Sequence, residues 1–433
     1  MRLNIKNFAK IESADILIDG ITVIAGENNT GKSTVGKIMF AIFNSLCGVE
    51  EKIAEERLKE IYNTFSRILY KYDMNKIDSK QRLKSYYIGL SSHYINQEVA
   101  KYISSHSNVI EADIKNLLEN LVKYEGDTSE VWTRIVDELS KNTMEIIDMP
   151  ENKIIAEVVS RYFNSVFHNQ INTLSDSNKT EAELSLEIKD NTIRLNFEND
   201  ECTCYDASMN LLHNAVYIDN PFIIDELTED NQLDPMGEFL KQMLTENESN
   251  GIMDGIIESV RAKEKLAEIY RALQKVVDGQ VIKRQDNEFY LKGDNISAPV
   301  AVHNLSTGLK SFVILKMLLE KGALKEKDVL ILDEPEIHLH PQWQIAYAEM
   351  IVLLQKQFDL SIIVTTHSPY FLDAINLFSI KYKIDQKTNF YLSTMDEYGA
   401  HMQKVTDHID VIYKKMASPI QMLDSLRYEL NNN

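Results

Sequence analysis

The segment that governs the interpretation of this chain is Gly26-Glu27-Asn28-Asn29-Thr30-Gly31-Lys32-Ser33. It completes the pattern G-x-x-x-x-G-K-[ST], with the apolar run Val23 to Ala25 before it and a helix expected after it. The glycines let the backbone curl close around phosphate groups so that successive N–H groups point inward, and the start of the helix adds its dipole. The segment therefore predicts a phosphate-binding loop at the end of a buried strand.

We expect the side chains of this loop to have different roles in binding the nucleotide. Lys32 would bridge the β- and γ-phosphates of ATP, and the Ser33 hydroxyl would coordinate Mg²⁺. The residues expected to contact the nucleotide are Gly26, Asn28, Asn29, Thr30, Gly31, Lys32, Ser33 and Thr34. ATP and Mg²⁺ are therefore the predicted cofactors.

Two carboxylates follow a second apolar run, Val329 to Leu332. Ligands of α/β sheets gather at the carboxyl ends of the strands, so Asp333 is placed to hold Mg²⁺ through water. Glu334 can orient or deprotonate an attacking water, a general-base task that needs a carboxylate within hydrogen-bond reach. The pattern alone also fits a strand that ends in a solvated turn, but the loop at residues 26–33 favours the catalytic interpretation.

Two further elements carry candidate residues. Ser306 and Gly308 lie in Leu305-Ser306-Thr307-Gly308-Leu309-Lys310, just before an apolar helix. Ser306 is either a plain N-cap or part of a second anion site directed at the γ-phosphate, and the residues leave both readings open. His367 ends an apolar run one helix and one strand after Glu334. A lone histidine is more often structural, but this placement favours contact with the γ-phosphate or the attacking water.

Composition narrows the class of protein. The chain has 433 residues, 44% of them hydrophobic and 26% charged, with a net charge of -20. This acidity argues against a surface coated with nucleic-acid contacts but leaves room for a local basic patch, and the densest basic run lies between Arg261 and Lys275. Three cysteines make no disulfide framework, and the chain shows neither a signal peptide nor a long apolar span. We expect a cytoplasmic protein with no membrane partner.

The organisation follows from hydrophobic periodicity. Strand patterns occur at Leu3 to Asn7, Ala14 to Ile18 and Ile21 to Ala25, and helical spacing dominates the next part of the chain. We expect the helical part to be a compact bundle, because sustained heptads are absent. The predicted divisions are an N-terminal head part at 1–47, a helical insertion at 48–181, head strands at 182–234, a helical segment at 235–285 and a C-terminal head part at 286–433.

Taken in order, these four elements resemble the Walker A, signature, Walker B and H-loop motifs of ABC-type ATPases, specifically the SMC/RecF/OLD branch. Ile5-Lys6-Asn7-Phe8 looks like the first strand of RecF- and SMC-like heads. Residues 333–341 look like the E-P-E-x-H-L-H-P run of OLD-family and related bacterial ATPases. The resemblance covers residues 1–47 and about 290–433. It implies an α/β fold, an ABC-type P-loop ATPase head with a mixed sheet plus a helical insertion, in which Asn220 is the candidate for the Q-loop role.

The chain also departs from these families. OLD nucleases carry a TOPRIM domain after the head, whereas only 66 residues follow His367 and none forms a D-x-D motif. This resembles the stand-alone ATPase subunits of antiphage systems such as Septu (PtuA) and PARIS (AriA). The resemblance implies an ATPase that dimerises on ATP and serves as sensor or scaffold for a separate effector, such as a nuclease. The alternative is a RecF/SMC-like repair ATPase that binds DNA directly, and a transporter subunit is disfavoured by the E-P-E-x-H-L-H-P run.

Overall fold

The computed structural model describes residues 1–74, 97–99, 101–103, 105, 110–121, 130–172, 181–229, 231–245, 267–274, 276–277, 279–283, 289–293, 298–416 and 418–431. Two compact units emerge, the first formed by Met1–Cys47 and Ala156–Asn433 and the second by Gly48–Ile155. The sequence places the end of the helical insertion at residue 181, whereas the helical unit ends at Ile155. Most of the predicted basic run lies outside the described residues, at Arg261, Lys263, Lys265 and Lys275.

The described strands all belong to the first unit. They are β1 (Arg2–Phe8), β2 (Ile11–Leu17), β3 (Ile21–Gly26), β4 (Glu181–Ile188), β5 (Asn191–Glu198), β6 (Glu201–Ala207), β7 (Ala215–Ile218), β8 (Gln280–Lys283), β9 (Phe289–Lys292), β10 (Val300–Ala301), β11 (Val329–Asp333), β12 (Ser361–Thr366), β13 (Thr388–Met395) and β14 (Ala400–Lys404).

The described helices are α1 (Lys32–Leu46), α2 (Val49–Met74), α3 (Glu111–Leu121), α4 (Glu130–Ile147), α5 (Glu151–Phe167), α6 (Pro235–Thr245), α7 (Thr307–Glu320), α8 (Pro341–Phe358), α9 (Pro369–Lys381), α10 (Asp410–Met416) and α11 (Ser418–Asn431). Residues 267–274 are helical as well. None of these helices combines the length and the apolarity that a membrane crossing requires.

An 11-stranded sheet forms the centre of the first unit, in the order β6-β5-β4-β1-β2-β14-β13-β3-β12-β11-β7. Neighbours from β13 to β7 run parallel, and neighbours from β6 to β2 run antiparallel. A separate three-stranded sheet has the order β10-β9-β8. The predicted α/β class with a mixed sheet is confirmed.

The register of the parallel strands aligns their carboxyl ends. Asp333 of β11 is paired with Thr365 of β12, and Thr366 is paired with Ala25 of β3. Because parallel strands point the same way, the loops that follow β3, β11 and β12 leave from one edge of the sheet. The P-loop and the loops carrying Glu334 and His367 are therefore neighbours in space.

Helices cover both faces of this parallel part. On one face α1 crosses the strands, and its Gly36 lies so close to Ile331 that an added Cβ would sit 2.7 Å from Ile331 Cγ2. On the other face α7, α8 and α9 pack in a core that includes Leu330, Leu332 and Val364. Burial on both faces explains the continuous apolar runs in these strands.

The second unit is a helical bundle. Helices α2, α3 and α4 contribute buried residues spaced at helical intervals, including Ile61, Phe65, Ile114, Leu118 and Leu139. Their outer faces carry ion pairs such as Lys71 with Glu138, 2.8 Å apart. The amphipathic pattern therefore produces a core of its own within this unit.

Candidate active site

The P-loop adopts a conformation that requires glycine at two positions. Gly31 stands at the N-cap of α1 with φ 79°, in the left-handed region that favours glycine. At Gly26 an added Cβ would lie 2.4 Å from the carbonyl oxygen of Ser393, so a side chain there would collide with β13. Thr30 Oγ1 donates to the carbonyl of Glu27 at 2.8 Å and closes the loop on itself.

Lys32 is a desolvated cation inside this loop. Its side chain is 3% exposed, and Nζ lies 3.9 Å from Glu334 Oε1. Nζ also donates to the carbonyl oxygen of Glu27 at 2.7 Å. Burial lowers the pKa of Lys32, while the carboxylates of Glu334 and Asp333 act in the opposite direction. An ammonium held this way, with few water partners, is suited to binding phosphate oxygens.

Asp333 is held by hydroxyl donors from three separate elements. Ser33 Oγ donates to Oδ1 at 2.9 Å and Tyr217 OH donates to Oδ2 at 2.7 Å. Thr365 Oγ1 also donates to Oδ1, at 2.5 Å. Burial raises the pKa of Tyr217 well above its usual range, so the phenol stays protonated and remains a donor. The sequence patterns did not single out Tyr217 or Thr365.

Ser33 and Asp333 fit a Mg²⁺ ion. The ion prefers oxygen ligands in a small cluster, and here a hydroxyl and a carboxylate already touch at the mouth of the P-loop. These two residues would hold the ion, which would neutralise charge on the phosphate oxygens of ATP.

The two predicted catalytic residues lie side by side. His367 Nε2 is 2.6 Å from Glu334 Oε1, although the two groups lack the alignment of a hydrogen bond. Glu334 has φ 49°, an uncommon conformation for this residue type, and its N–H donates to Thr365 Oγ1 at 3.0 Å. Strained backbone of this kind is found at functional sites, where the surrounding structure over-determines it.

An open cleft of about 370 Å³ runs along the P-loop. Glu334 lines it, together with residues of the P-loop and of the segment that ends α5. Its lining residues are Ala9, Lys10, Asn29, Thr30, Gly31, Lys32, Ser33, Thr34, Lys37, Val166, Phe167, His168, Gln170 and Glu334. This space is where the geometry allows a nucleotide to lie.

Ser306 and Gly308 do not line this cleft. They line a separate cavity of about 510 Å³ with Thr307, His338, His340 and Trp343. Ser306 occupies the N-cap position of α7, yet its side chain makes no capping hydrogen bond. Its hydroxyl is therefore not used in the way that the N-cap interpretation requires.

The candidate for the Q-loop role begins a short turn. Asn220 Oδ1 accepts a hydrogen bond from the Phe222 N–H at 2.9 Å and starts the 3-10 helix Pro221–Asp225. Asp225 then accepts two bonds from the buried Lys310 Nζ, at 2.7 and 2.6 Å. This turn is thus tied to the helix that follows Ser306.

Comparison with known proteins gives one family and a set of similar structures. Residues 1–372 match the family model AAA_15, described as an AAA ATPase domain. A structure of an SMC head bound to the C-winged helix domain of ScpA is 12% identical, with TM-score 0.44, covering 95% of this chain and 98% of that chain. The SMC head domain from Thermotoga maritima is 11% identical, with TM-score 0.41, covering 93% of this chain and 98% of that chain. The family match contains the P-loop, Asp333, Glu334 and His367.

Proposed function

Because this chain belongs to the AAA ATPase domain family, we propose that it binds ATP with Mg²⁺ and hydrolyses it to ADP and phosphate. The observation that supports this most directly is the convergence of Lys32, Asp333, Glu334 and His367 at one edge of the sheet. Lys32 begins α1 after the P-loop, Asp333 ends β11, and Glu334 and His367 follow β11 and β12. They provide a phosphate-binding cation, a metal ligand and a general base close together, and Lys32 and Glu334 both line the cleft along the P-loop.

The hydrolytic step follows from these positions. Water attacks the γ-phosphorus, its proton passes to the Glu334 carboxylate, and the bond to the bridging oxygen of ADP breaks with the electron pair leaving on ADP. Lys32 stabilises charge on the phosphate oxygens. The imidazole of His367 lies next to this base, with Nε2 2.6 Å from Glu334 Oε1.

The finer proposal is that two chains share each nucleotide. Ser306 and Gly308 line a different cavity from the P-loop cleft, so one chain leaves the γ-phosphate open on one side. Two chains placed head to head would let Ser306 of each cap the nucleotide that Lys32 of the other holds. ATP should therefore promote a homodimer.

Mixing two inactive variants tests both parts of this proposal. Lys32→Ala removes the phosphate-binding cation and Ser306→Arg blocks the capping loop, so each homodimer should be inactive. A mixed dimer keeps one intact site, and mixing should restore activity toward half of the wild-type rate per dimer. Dimer formation is followed in parallel by analytical ultracentrifugation with ATP. Mixed dimers that form without regaining activity contradict shared sites, and a wild-type chain that releases no phosphate contradicts the ATPase.

The resemblance of residues 333–341 to the E-P-E-x-H-L-H-P run of OLD-family and related bacterial ATPases supports a more specific biological role. We assign the chain to antiphage defence, as an ATP-gated sensor or scaffold for a separate effector such as a nuclease. Co-expression with the product of the adjacent gene, with phage challenge as the readout, tests this role. Tight DNA binding by the chain alone, with the steep salt dependence of phosphate contacts, would instead favour direct action on DNA.

A further inference from the structure

Glu336 is a buried carboxylate just beyond the catalytic base. The residue is 5% exposed and lies two positions after Glu334, in the loop that follows β11. Its Oε1 accepts hydrogen bonds from Thr366 Oγ1 at 2.6 Å, from the His367 N–H at 2.7 Å and from the Ser368 N–H at 3.2 Å. All three donors belong to the end of β12 and the loop that carries His367.

The second carboxylate oxygen makes this arrangement costly. Glu336 Oε2 is buried and makes no hydrogen bond with the residues that the structure describes, and burial raises the pKa of the side chain. A buried polar atom without a partner destabilises the folded state, and such groups are rare in native proteins. An apolar side chain at this position would avoid the unpartnered oxygen, but it could not accept the three hydrogen bonds that Oε1 accepts.

A second tie joins the same two loops. Gln344, in the first turn of α8, donates to the carbonyl of Leu339 at 3.1 Å and accepts from Ser368 Oγ at 2.7 Å. The loop after β11 and the loop after β12 are thus connected on both sides of His367. These hydrogen bonds therefore hold the backbone of His367, and with it the attachment point of the imidazole, in place relative to the loop that carries Glu334.

We propose that Glu336 is the positioning residue that sets the approach of His367 to Glu334. The inference rests on the proposed ATPase activity and deepens it, since it assigns a function to the second glutamate of Glu334-Pro335-Glu336. Glu336 Oε1 accepts a hydrogen bond from the His367 N–H and so holds the backbone of His367 in place. The imidazole of the same residue has its Nε2 2.6 Å from Glu334 Oε1.

Two substitutions separate this role from a merely structural one. Glu336→Ala removes the acceptor, so His367 shifts and kcat should fall by about 10- to 100-fold, while KM for ATP changes by less than about twofold. Glu336→Gln keeps an acceptor oxygen in the same place and should retain kcat within about threefold of wild type.

The matched control is Asp328→Ala. Asp328 is also buried, at 4% exposure, and accepts from the Lys325 N–H at 2.8 Å, but it lies at the opposite end of β11. Its loss should leave kcat near the wild-type value. A fall in kcat equal to that of Glu336→Ala would show that a buried carboxylate at either end of β11 has the same effect, and would overturn the proposal.

A second readout does not depend on turnover. Hydrogen exchange at the His367 amide, measured by mass spectrometry on a peptide containing residues 366–369, should be at least about tenfold faster in Glu336→Ala, because this amide loses its acceptor, and near wild type in Glu336→Gln. Unchanged hydrogen exchange in Glu336→Ala overturns the proposal, whether or not the wild-type chain hydrolyses ATP. A lack of ATPase activity in the wild-type chain contradicts only the proposed function. If Glu336→Ala fails to fold, a Glu336→Gln protein with low kcat and normal KM overturns it instead.

Discussion

The two halves of the large sheet differ in how they use their side chains. In the parallel half, from β13 to β7, strands such as β3 are buried along their whole length. Asp333 ends β11, and the segments that follow β3, β11 and β12 carry Lys32, Glu334 and His367. In the antiparallel half, from β6 to β2, burial alternates along strands such as β4 and β5. The outward residues there form exposed ion pairs, such as Lys6 with Glu183 at 2.9 Å.

This difference has a geometric origin. Parallel strands deliver their following loops to one edge, where side chains from distant parts of the chain can meet. Antiparallel neighbours deliver successive loops to opposite edges, so their side chains cannot gather in the same way. We infer that the parallel half carries the chemistry and that the antiparallel half contributes mainly its buried face to stability.

The largest expected effect comes from the base. Glu334→Gln keeps the shape of the side chain but removes its basicity, so hydrolysis should fall by about 100-fold or more, or about 2.7 kcal/mol in the barrier. Phosphate release at saturating ATP measures this. The same substitution in the antiparallel half, Glu183→Gln, serves as control and should leave the rate unchanged. Equal rates for Glu334→Gln and wild type would place the base elsewhere.

The next effect concerns binding. Lys32→Ala leaves the phosphate oxygens facing only neutral N–H donors, so ATP affinity should fall by about tenfold or more, at least about 1.4 kcal/mol. Isothermal titration calorimetry measures the dissociation constant. Lys6→Ala is the matched control, because it removes the same charge from the antiparallel half. A similar loss of affinity in both variants would break the distinction between the halves.

The smallest effect is expected in the antiparallel half itself. The side chains of Lys6 and Glu183 are 64% and 46% exposed, so solvent screens their attraction. Lys6→Ala should therefore change the free energy of unfolding by only about 0–1 kcal/mol, and less at high salt. Urea denaturation at two salt concentrations measures this. A loss above about 2 kcal/mol would mean that the outer face of these strands carries more of the stability than its exposure suggests.

The structure also shows details that local sequence patterns do not supply. The helix α5 spans residues 151–167, yet the helical unit ends at Ile155. Hydrophobic periodicity indicates that a segment is helical, but it does not indicate which compact unit the helix packs against. Ser306 was readable as an N-cap, but its hydroxyl makes no capping bond. Asn220 stays a candidate for the Q-loop role, and its side chain begins the turn Pro221–Asp225.

The sequence by itself determined the P-loop, the α/β class and the identity of Asp333, Glu334 and His367 as candidates. Each of these rests on a short contiguous segment, in which strand propensity, glycine conformation and the position of a polar residue after an apolar run are local properties. Such local patterns can be interpreted without knowledge of the rest of the chain.

Only the tertiary structure decided which groups hold these candidates in place. Tyr217 reaches Asp333 across 116 positions of sequence, Thr365 reaches it across 32, and Glu336 binds the N–H of His367 across 31. These hydrogen bonds depend on strand order and on register, and a shift of one residue would turn the side chains of Tyr217 and Thr365 to the other face of the sheet. Strand order and register are set by the packing of the whole core, which no short segment encodes.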